Sequence, residues 1–274
     1  GRDVGPEWRS LDDKATYDLM ASGDTLGVFQ LEGAGMRDTL KKVRPHSLED
    51  VIAIISLYRP GPMQFIPDYI KGKDDPSYVK YAHPLLEKVA KETYGILVYQ
   101  EQVMEAARVV AGYTLGGADM LRRAMGKKIR EEMEQQRSIF VEGAKTTNNI
   151  DKKKAEEIFA TLEKFAEYGF NKSHSAAYAI LSYRTAYLKA NYPAEYMSGL
   201  LTSIADDKDK SAIYLNECRR MGIKVLPPDV NESQSDFAPV GTDIRFGLSA
   251  IRNVGANVVE SIIRTRNAKG RFAD

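Results

Sequence analysis

The chain has 274 residues, 43% of them apolar and 28% charged, with a net charge of +1 and a single cysteine. That length can bury a sizeable core in one or two domains, and the near-neutral balance excludes a protein that coats nucleic acid through bulk positive charge. Cys218 alone excludes an internal disulfide framework and fits a reducing compartment. Residues 1–10 read as a connecting segment with little pattern. The spacing predicts a helix from Asp12 to Ala21, closed by Ser22-Gly23, and a short strand from Val28 to Leu31. Ser47-Leu48-Glu49-Asp50 resembles a capping box before the apolar run Val51 to Leu57. Tyr58-Arg59-Pro60-Gly61-Pro62 then stops that run with a stiff turn.

Gly95 to Val98 is expected as a strand. Val103, Ala106, Ala107 and Val110 follow helical spacing up to Gly112. The next helix carries Leu121, Ala124 and Met125 on one face and is expected to stop at Gly126. Asp151 is an N-cap for a helix from Lys152 to Glu167, with Ala155, Ile158, Phe159, Leu162, Phe165 and Ala166 in its apolar stripe. Further helices are expected over His174 to Asn191 and Lys210 to Met221, followed by an extended Ile223 to Leu226. No apolar run approaches the roughly 20 residues of a membrane span, and the polar N-terminus lacks the apolar stretch of a signal peptide. The chain reads as mainly helical with small β pieces.

Two clusters point to phosphate chemistry. Arg122-Arg123-Ala124-Met125-Gly126-Lys127-Lys128 places four cations around a glycine, and no carboxylate lies between Asp119 and Glu131. Arginine's planar fork suits phosphate oxygens. The alternative is a solvated helix end whose cations offset exposed carbonyls. Tyr168-Gly169-Phe170-Asn171-Lys172-Ser173-His174 runs into a helix with Ser173 as its expected cap and no acid in its first turn. Free N–H groups there invite an anion. His174, Tyr178, Ser182, Thr185 and Lys189 share one face, while Ala176, Ala177, Ile180 and Leu188 should meet the core. Arg184 falls on that second side as a buried ion-pair candidate. The alternative is an ordinary amphipathic helix. Three scattered histidines and one cysteine give no zinc spacing.

LRRAMGKK (Leu121 to Lys128) and GFNKSHSAAYA (Gly169 to Ala179) resemble the C-family of bacterial replicative DNA polymerases, the polymerase III α subunits. So do VFQLE (Val28 to Glu32), YRPGPM (Tyr58 to Met63), YGILVYQEQVM (Tyr94 to Met104), GYTLGGADM (Gly112 to Met120), YPAEYM (Tyr192 to Met197) and LPPDVN (Leu226 to Asn231). The motifs run in family order over residues 11–231, and the match is to the fingers domain. The resemblance implies that Arg122 and Arg123 grip the phosphates of an incoming deoxynucleoside triphosphate. It places Lys127, Lys128, Tyr168, Asn171, Lys172, Ser173 and His174 around the same pocket. The family's two-metal chemistry with Mg2+ needs aspartates on palm strands. The only Asp-x-Asp here is Asp207-Lys208-Asp209, which lacks flanking apolar strands. The chain is therefore expected to be a fragment without palm, thumb or exonuclease-like region, with no catalytic or metal residues and no polymerase activity alone. Implied partners are dNTP, primer-template DNA, the palm and thumb, and other replisome subunits in a bacterial cytoplasm, with no membrane.

Residues 232–274 are expected to hold short β stretches and a truncated helix-hairpin-helix-like segment. Leu248 to Ile263 reads as an apolar helix, a turn at Asn253-Val254-Gly255 and a second helix. Such turns, usually Gly-x-Gly, contact the DNA backbone through main-chain N–H groups; the alternative is a structural helical hairpin. The competing function is a non-catalytic helical module that binds the DNA backbone.

Overall fold

A computed structural model describes residues 7–127 and 130–273. In chain order the helices begin with α1 (Glu7–Ser10), α2 (Lys14–Ser22) and α3 (Ala34–Val43). They continue with α4 (Leu48–Leu57), α5 (Ile66–Asp74), α6 (Glu87–Ala90), α7 (Gln100–Ala111), α8 (Leu115–Lys127), α9 (Arg130–Asn148), α10 (Lys152–Ala166) and α11 (Lys172–Asn191). After α12 (Pro193–Ser203) and α13 (Lys208–Arg220) come the strands β1 (Val225–Leu226), β2 (Ala238–Val240) and β3 (Asp243–Arg245), and finally α14 (Ala256–Lys269). The fold is mainly helical with a small sheet. No helix among the described residues is long and apolar enough to cross a membrane.

The chain divides into two compact units. One is Lys42–Ile180, and the other combines the described part of residues 1–41 with Leu181–Asp274. In the first unit α7 lies at the centre of a helical core. Val103, Ala106, Ala107 and Val110 are fully buried and share one cluster with Leu121 of α8, Phe140 of α9 and Phe159 of α10. Each large apolar side chain removed from water contributes roughly 1.5–3 kcal/mol. Gly143 lets α9 cross α7 closely, since a Cβ there would run into the Ala111 carbonyl oxygen. Asn148 donates to the Val109 and Val110 carbonyls at 2.9 and 2.8 Å and so satisfies part of the open end of α7. Gly112 closes that end in the left-handed region at φ 69°.

In the second unit, α12 and α13 pack on a three-stranded sheet of order β1-β3-β2, in which β3 runs parallel to β1 and antiparallel to β2. Met197, Leu201, Cys218 and Ile244 form its core. Lys189 is buried there. Its ammonium donates to the Asp24 and Leu26 carbonyls at 2.8 and 2.7 Å and to Glu217 Oε1 at 2.7 Å. All three of its donors are thereby used. Glu217 also takes Arg220, and these bonds hold its carboxyl down at about 2 despite burial.

Several expectations change. Val28 to Leu31 is a pair of tight turns, with Val28 N–H on Thr25 O at 3.0 Å and Leu31 N–H on Val28 O at 3.1 Å. Gly27 and Gln30 at φ 80° and 62° prevent extension there. Gly95 to Val98 is irregular for the same reason, with Tyr94 and Gly95 at φ 53° and 84°. α8 passes through Gly126 and reaches Lys127. Residues 7–10 are helical, and Trp8 stacks edge-on to Tyr187 at 6.0 Å. Arg184 is half-buried, lies over the Trp8 ring at 5.1 Å, and has a buried Nε without a hydrogen bond among the described residues. It is a stacking cation where an ion pair was expected. α3, α9 and α12 carry no clear sequence signal of their own.

The inward face of α11 also differs from the expected one. Ser175, Ala179, Ser182, Tyr183 and Ala186 are buried, whereas Ala177 is exposed. Small hydroxyl residues face inward because they are hydrogen-bonded there: Ser175 Oγ meets Ser56 Oγ at 2.6 Å. Ser182 and Lys189, expected on a nucleotide-facing stripe, belong to the interior of the second unit. The hairpin's first arm is only a 3-10 turn, Leu248–Ala250, ahead of α14.

Candidate nucleotide site

Both cation clusters lie in the Lys42–Ile180 unit. α8 places Arg122 and Arg123 one turn after Asp119. Asp119 Oδ1 accepts from Arg122 Nε at 3.0 Å and Nη2 at 2.7 Å, and Oδ2 pairs with Arg123 Nε at 2.9 Å. Hydrogen bonds from Arg122, helped by the charge of both arginines, hold the Asp119 carboxyl below its usual range and keep it ionised. The expectation that these cations lack a local acid is thus corrected. The reason is that α8 is continuous, so i,i+3 and i,i+4 pairing is available. Each guanidinium has five N–H donors, and Asp119 engages two on Arg122 and one on Arg123. Arg123 and Lys127 line an open cleft of about 400 Å³ with Gln135 and Gln136 of α9. Lys128 lies outside the described residues.

The second cluster enters α11. Asn171 is its cap, since Asn171 Oδ1 accepts from His174 N–H at 2.8 Å. Ser173 is an exposed first-turn residue and not the cap, because the helix starts one residue earlier, at Lys172. The first turn contains no acid, yet its Lys172 and His174 N–H groups are engaged. Glu101 accepts the Lys172 N–H at 3.1 and 3.0 Å and the Asn171 amide at 3.1 Å. A carboxylate at a helix N-terminus offsets the exposed N–H groups. Lys172 Nζ reaches both oxygens of Glu92 at 2.7 and 2.9 Å. His174 is exposed and stacks on Tyr178 at 4.4 Å between ring centroids. Tyr168 is half-buried against Gly61, where a Cβ would stand 2.6 Å from its ring.

The start of α7 joins the two clusters. Arg122 Nη1 lies 3.5 Å from Gln100 Oε1, a long contact at the limit of a hydrogen bond. Gln100 N–H donates to Phe170 O at 2.9 Å, and Phe170 N–H to Val98 O at 3.0 Å. The next residue, Glu101, holds the start of α11. Consecutive residues of α7 therefore touch Arg122 and the Tyr168–His174 segment. Gln100, Glu101, Glu92, Asp119 and Arg59 were not assigned to the site from sequence. The motifs YGILVYQEQVM, GYTLGGADM and YRPGPM contain all but Glu92. The arrangement offers guanidinium forks and a helix start on one frame, each presently balanced by one internal carboxylate.

A family model described as the bacterial DNA polymerase III alpha subunit finger domain matches residues 1–148. This chain belongs to the bacterial DNA polymerase III α-subunit fingers family. A helix-hairpin-helix motif model matches residues 222–274. The DNA polymerase III subunit alpha of Mycobacterium tuberculosis strain H37Rv is 55% identical over 280 residues, covering 100% of this chain and 24% of that protein. Those of Deinococcus radiodurans and Thermus aquaticus are each 52% identical over 96% of this chain, covering 20% and 22% of those proteins. The chain thus spans about a quarter of the length of the curated relatives it matches.

In the helix-hairpin-helix region Asn253 adopts φ 66°, the left-handed conformation that Asn tolerates. Val254 N–H donates back to Ile251 O at 3.2 Å, and Gly255 precedes α14, whose first turn has no acid. For Mg2+, the described residues hold no group of three or more His, Cys, Asp or Glu placed to bind a metal. Asp207 caps α13 through Lys210 N–H at 3.1 Å and pairs with the Lys210 ammonium at 3.6 Å. The Asp207-Lys208-Asp209 pair does not fit a metal site.

Proposed function

We propose that the chain is the fingers module of a bacterial replicative DNA polymerase and grips the triphosphate of an incoming dNTP. The observation that carries this reading is the frame at residues 100–101, which lies against Arg122 through a long contact on one side and bonds the start of α11 on the other. A triphosphate needs several charge-assisted donors aimed at one region. Arg122 and Arg123 supply forks, Lys172 and the α11 start supply further donors, and Lys127 and Lys128 add charge. Tyr168, Asn171, Ser173 and His174 complete the lining. Asp119 ties both guanidiniums to one carboxylate, and Glu101 occupies the helix start until a phosphate competes for it.

The module spans residues 11–231, with 1–10 connecting and 232–274 forming a β region and a helix-hairpin-helix-like segment. The Asn253-Val254-Gly255 turn touches DNA phosphates there. Template-directed synthesis belongs to an intact bacterial cytoplasmic enzyme whose palm holds Mg2+ and whose partners are primer-template DNA and other replisome subunits. This chain alone is inactive, and measurable primer extension by it sinks that part. The main test is calorimetric titration of the 274-residue chain with dATP and Mg2+. Arg122→Ala/Arg123→Ala abolishes dATP binding while binding to duplex DNA persists. Binding of DNA alone, falling steeply with salt, supports the second reading, a helix-hairpin-helix module that holds the DNA backbone. The motif matched over residues 222–274 is what favours that alternative.

A further inference from the structure

The stiff turn after α4 has no role in either cation cluster, yet it is tied to the second at several points. Arg59 Nε donates to Ser56 O at 2.8 Å and Nη2 to Tyr168 O at 2.7 Å. Its guanidinium lies 4.3 Å from the centroid of the Phe170 ring. Three residues earlier, Ser56 Oγ meets Ser175 Oγ at 2.6 Å in a buried pair, and Ser175 Oγ also donates to Ile52 O at 3.1 Å. Gly61, at φ 97°, gives the Tyr168 ring its place. The far side of the same segment is fixed by the Phe170 bonds to residues 98 and 100. Phe170 meets the His174 ring edge-on at 5.5 Å, and His174 stacks on Tyr178.

We propose that Arg59 is a positioning residue for the nucleotide site, fixing the Tyr168–His174 segment through Phe170 so that His174 and the start of α11 face the ligand. This deepens the triphosphate reading and rests on it. Arg59 points its fork at its own chain turn and at the segment, so it acts through Phe170 and not by touching phosphate. A planar cation can satisfy two carbonyls and stack on a ring at the same time. Lysine at this position keeps the charge but loses the second directed donor and the flat face.

The test uses the 274-residue chain, dATP with Mg2+ as probe, and the His174 ring protons as a local reporter. Arg59→Lys is expected to weaken dATP binding on the order of tenfold, as a small displacement of a positioned group does. It should move the His174 ring signals while leaving those of Arg122 and Arg123 in place. Phe170→Leu should do the same, and the double variant should cost no more than either single change, because both break one chain of contacts. Unchanged affinity in Arg59→Lys, or losses that simply add in the double variant, overturns the proposal. If Arg59→Lys unfolds the unit, Phe170→Leu decides alone: His174 signals that stay in place overturn it, and signals that move with the fold intact support it. If the parent chain does not bind dATP, the triphosphate reading falls. The His174 signals of the unliganded variants then decide whether Arg59 positions the segment.

Discussion

Replacing Glu101 by glutamine removes one negative charge from the start of α11 and keeps the side chain's shape. In the parent chain that carboxylate accepts the Lys172 N–H at 3.1 and 3.0 Å. Two effects follow with opposite sign. A carboxylate at a helix N-terminus contributes about 0.3–1 kcal/mol, so Glu101→Gln should lower folding stability by about 1 kcal/mol. A phosphate competing for the same N–H groups meets a like charge, and two unit charges about 4 Å apart repel by roughly 1 kcal/mol in water. Removing it should tighten dATP binding about fivefold, since roughly 1.4 kcal/mol is tenfold. Glu101 is half-exposed, so water screens the repulsion and the larger figures of a dry interior do not apply. Denaturant unfolding measures the first effect, and isothermal titration at constant ionic strength, with the Lys172 amide followed by NMR, measures the second. Weaker or unchanged dATP binding in Glu101→Gln refutes the idea that this carboxylate stands where a phosphate goes.

Gly61→Ala should cost about 2 kcal/mol or more, because φ 97° strains an L residue and its Cβ would stand 2.6 Å from the Tyr168 ring; a stable variant with unshifted Tyr168 signals counts against that seat. Lys189→Met should cost roughly 3–5 kcal/mol, the range for removing one partner of a buried ion pair, since it strips two carbonyls and Glu217 of their shared donor. A melting point within a degree or two of the parent would contradict it. The Glu217 carboxyl is held at about 2, below its ordinary 4.5. Its contribution is therefore complete above about pH 4.5 and lost as pH falls toward 2. Thermal unfolding from pH 6 to 3 should decline more steeply in the parent than in Glu217→Gln.

The helices that sequence makes legible carry their own punctuation. Asp151 accepts Lys154 N–H at 3.0 Å and opens α10, whose expected stripe is buried at Ala155, Ile158, Phe159 and Leu162 and half-buried at Phe165 and Ala166. Ser47 opens α4 by accepting Asp50 N–H, but the reciprocal bond runs from His46 N–H to Asp50. α9 is hidden because only Met133, Phe140 and Ala144 of its nineteen residues are buried, too sparse a stripe for periodicity to reveal. At the site the cations are legible and their acids are not. Asp119 stands one turn before Arg122, just outside the local cluster, and Glu101 reaches α11 from about seventy residues away. Gly126 suggests a stop by residue type, yet nothing crowds it and the helix continues. The face of α11 is misread because inward serines are hidden by their polarity, and only a partner such as Ser56 explains them.

Cys218 has a practical consequence. It is the only sulfhydryl in the chain, fully buried in the core of its unit, where burial pushes the thiol up to about 11. A thiol that stays protonated and shielded does not react with alkylating dyes while the unit is closed. A new cysteine at an exposed position therefore takes a fluorophore without background. Slow labelling of Cys218 in the parent chain then serves as a clock for transient opening of that core.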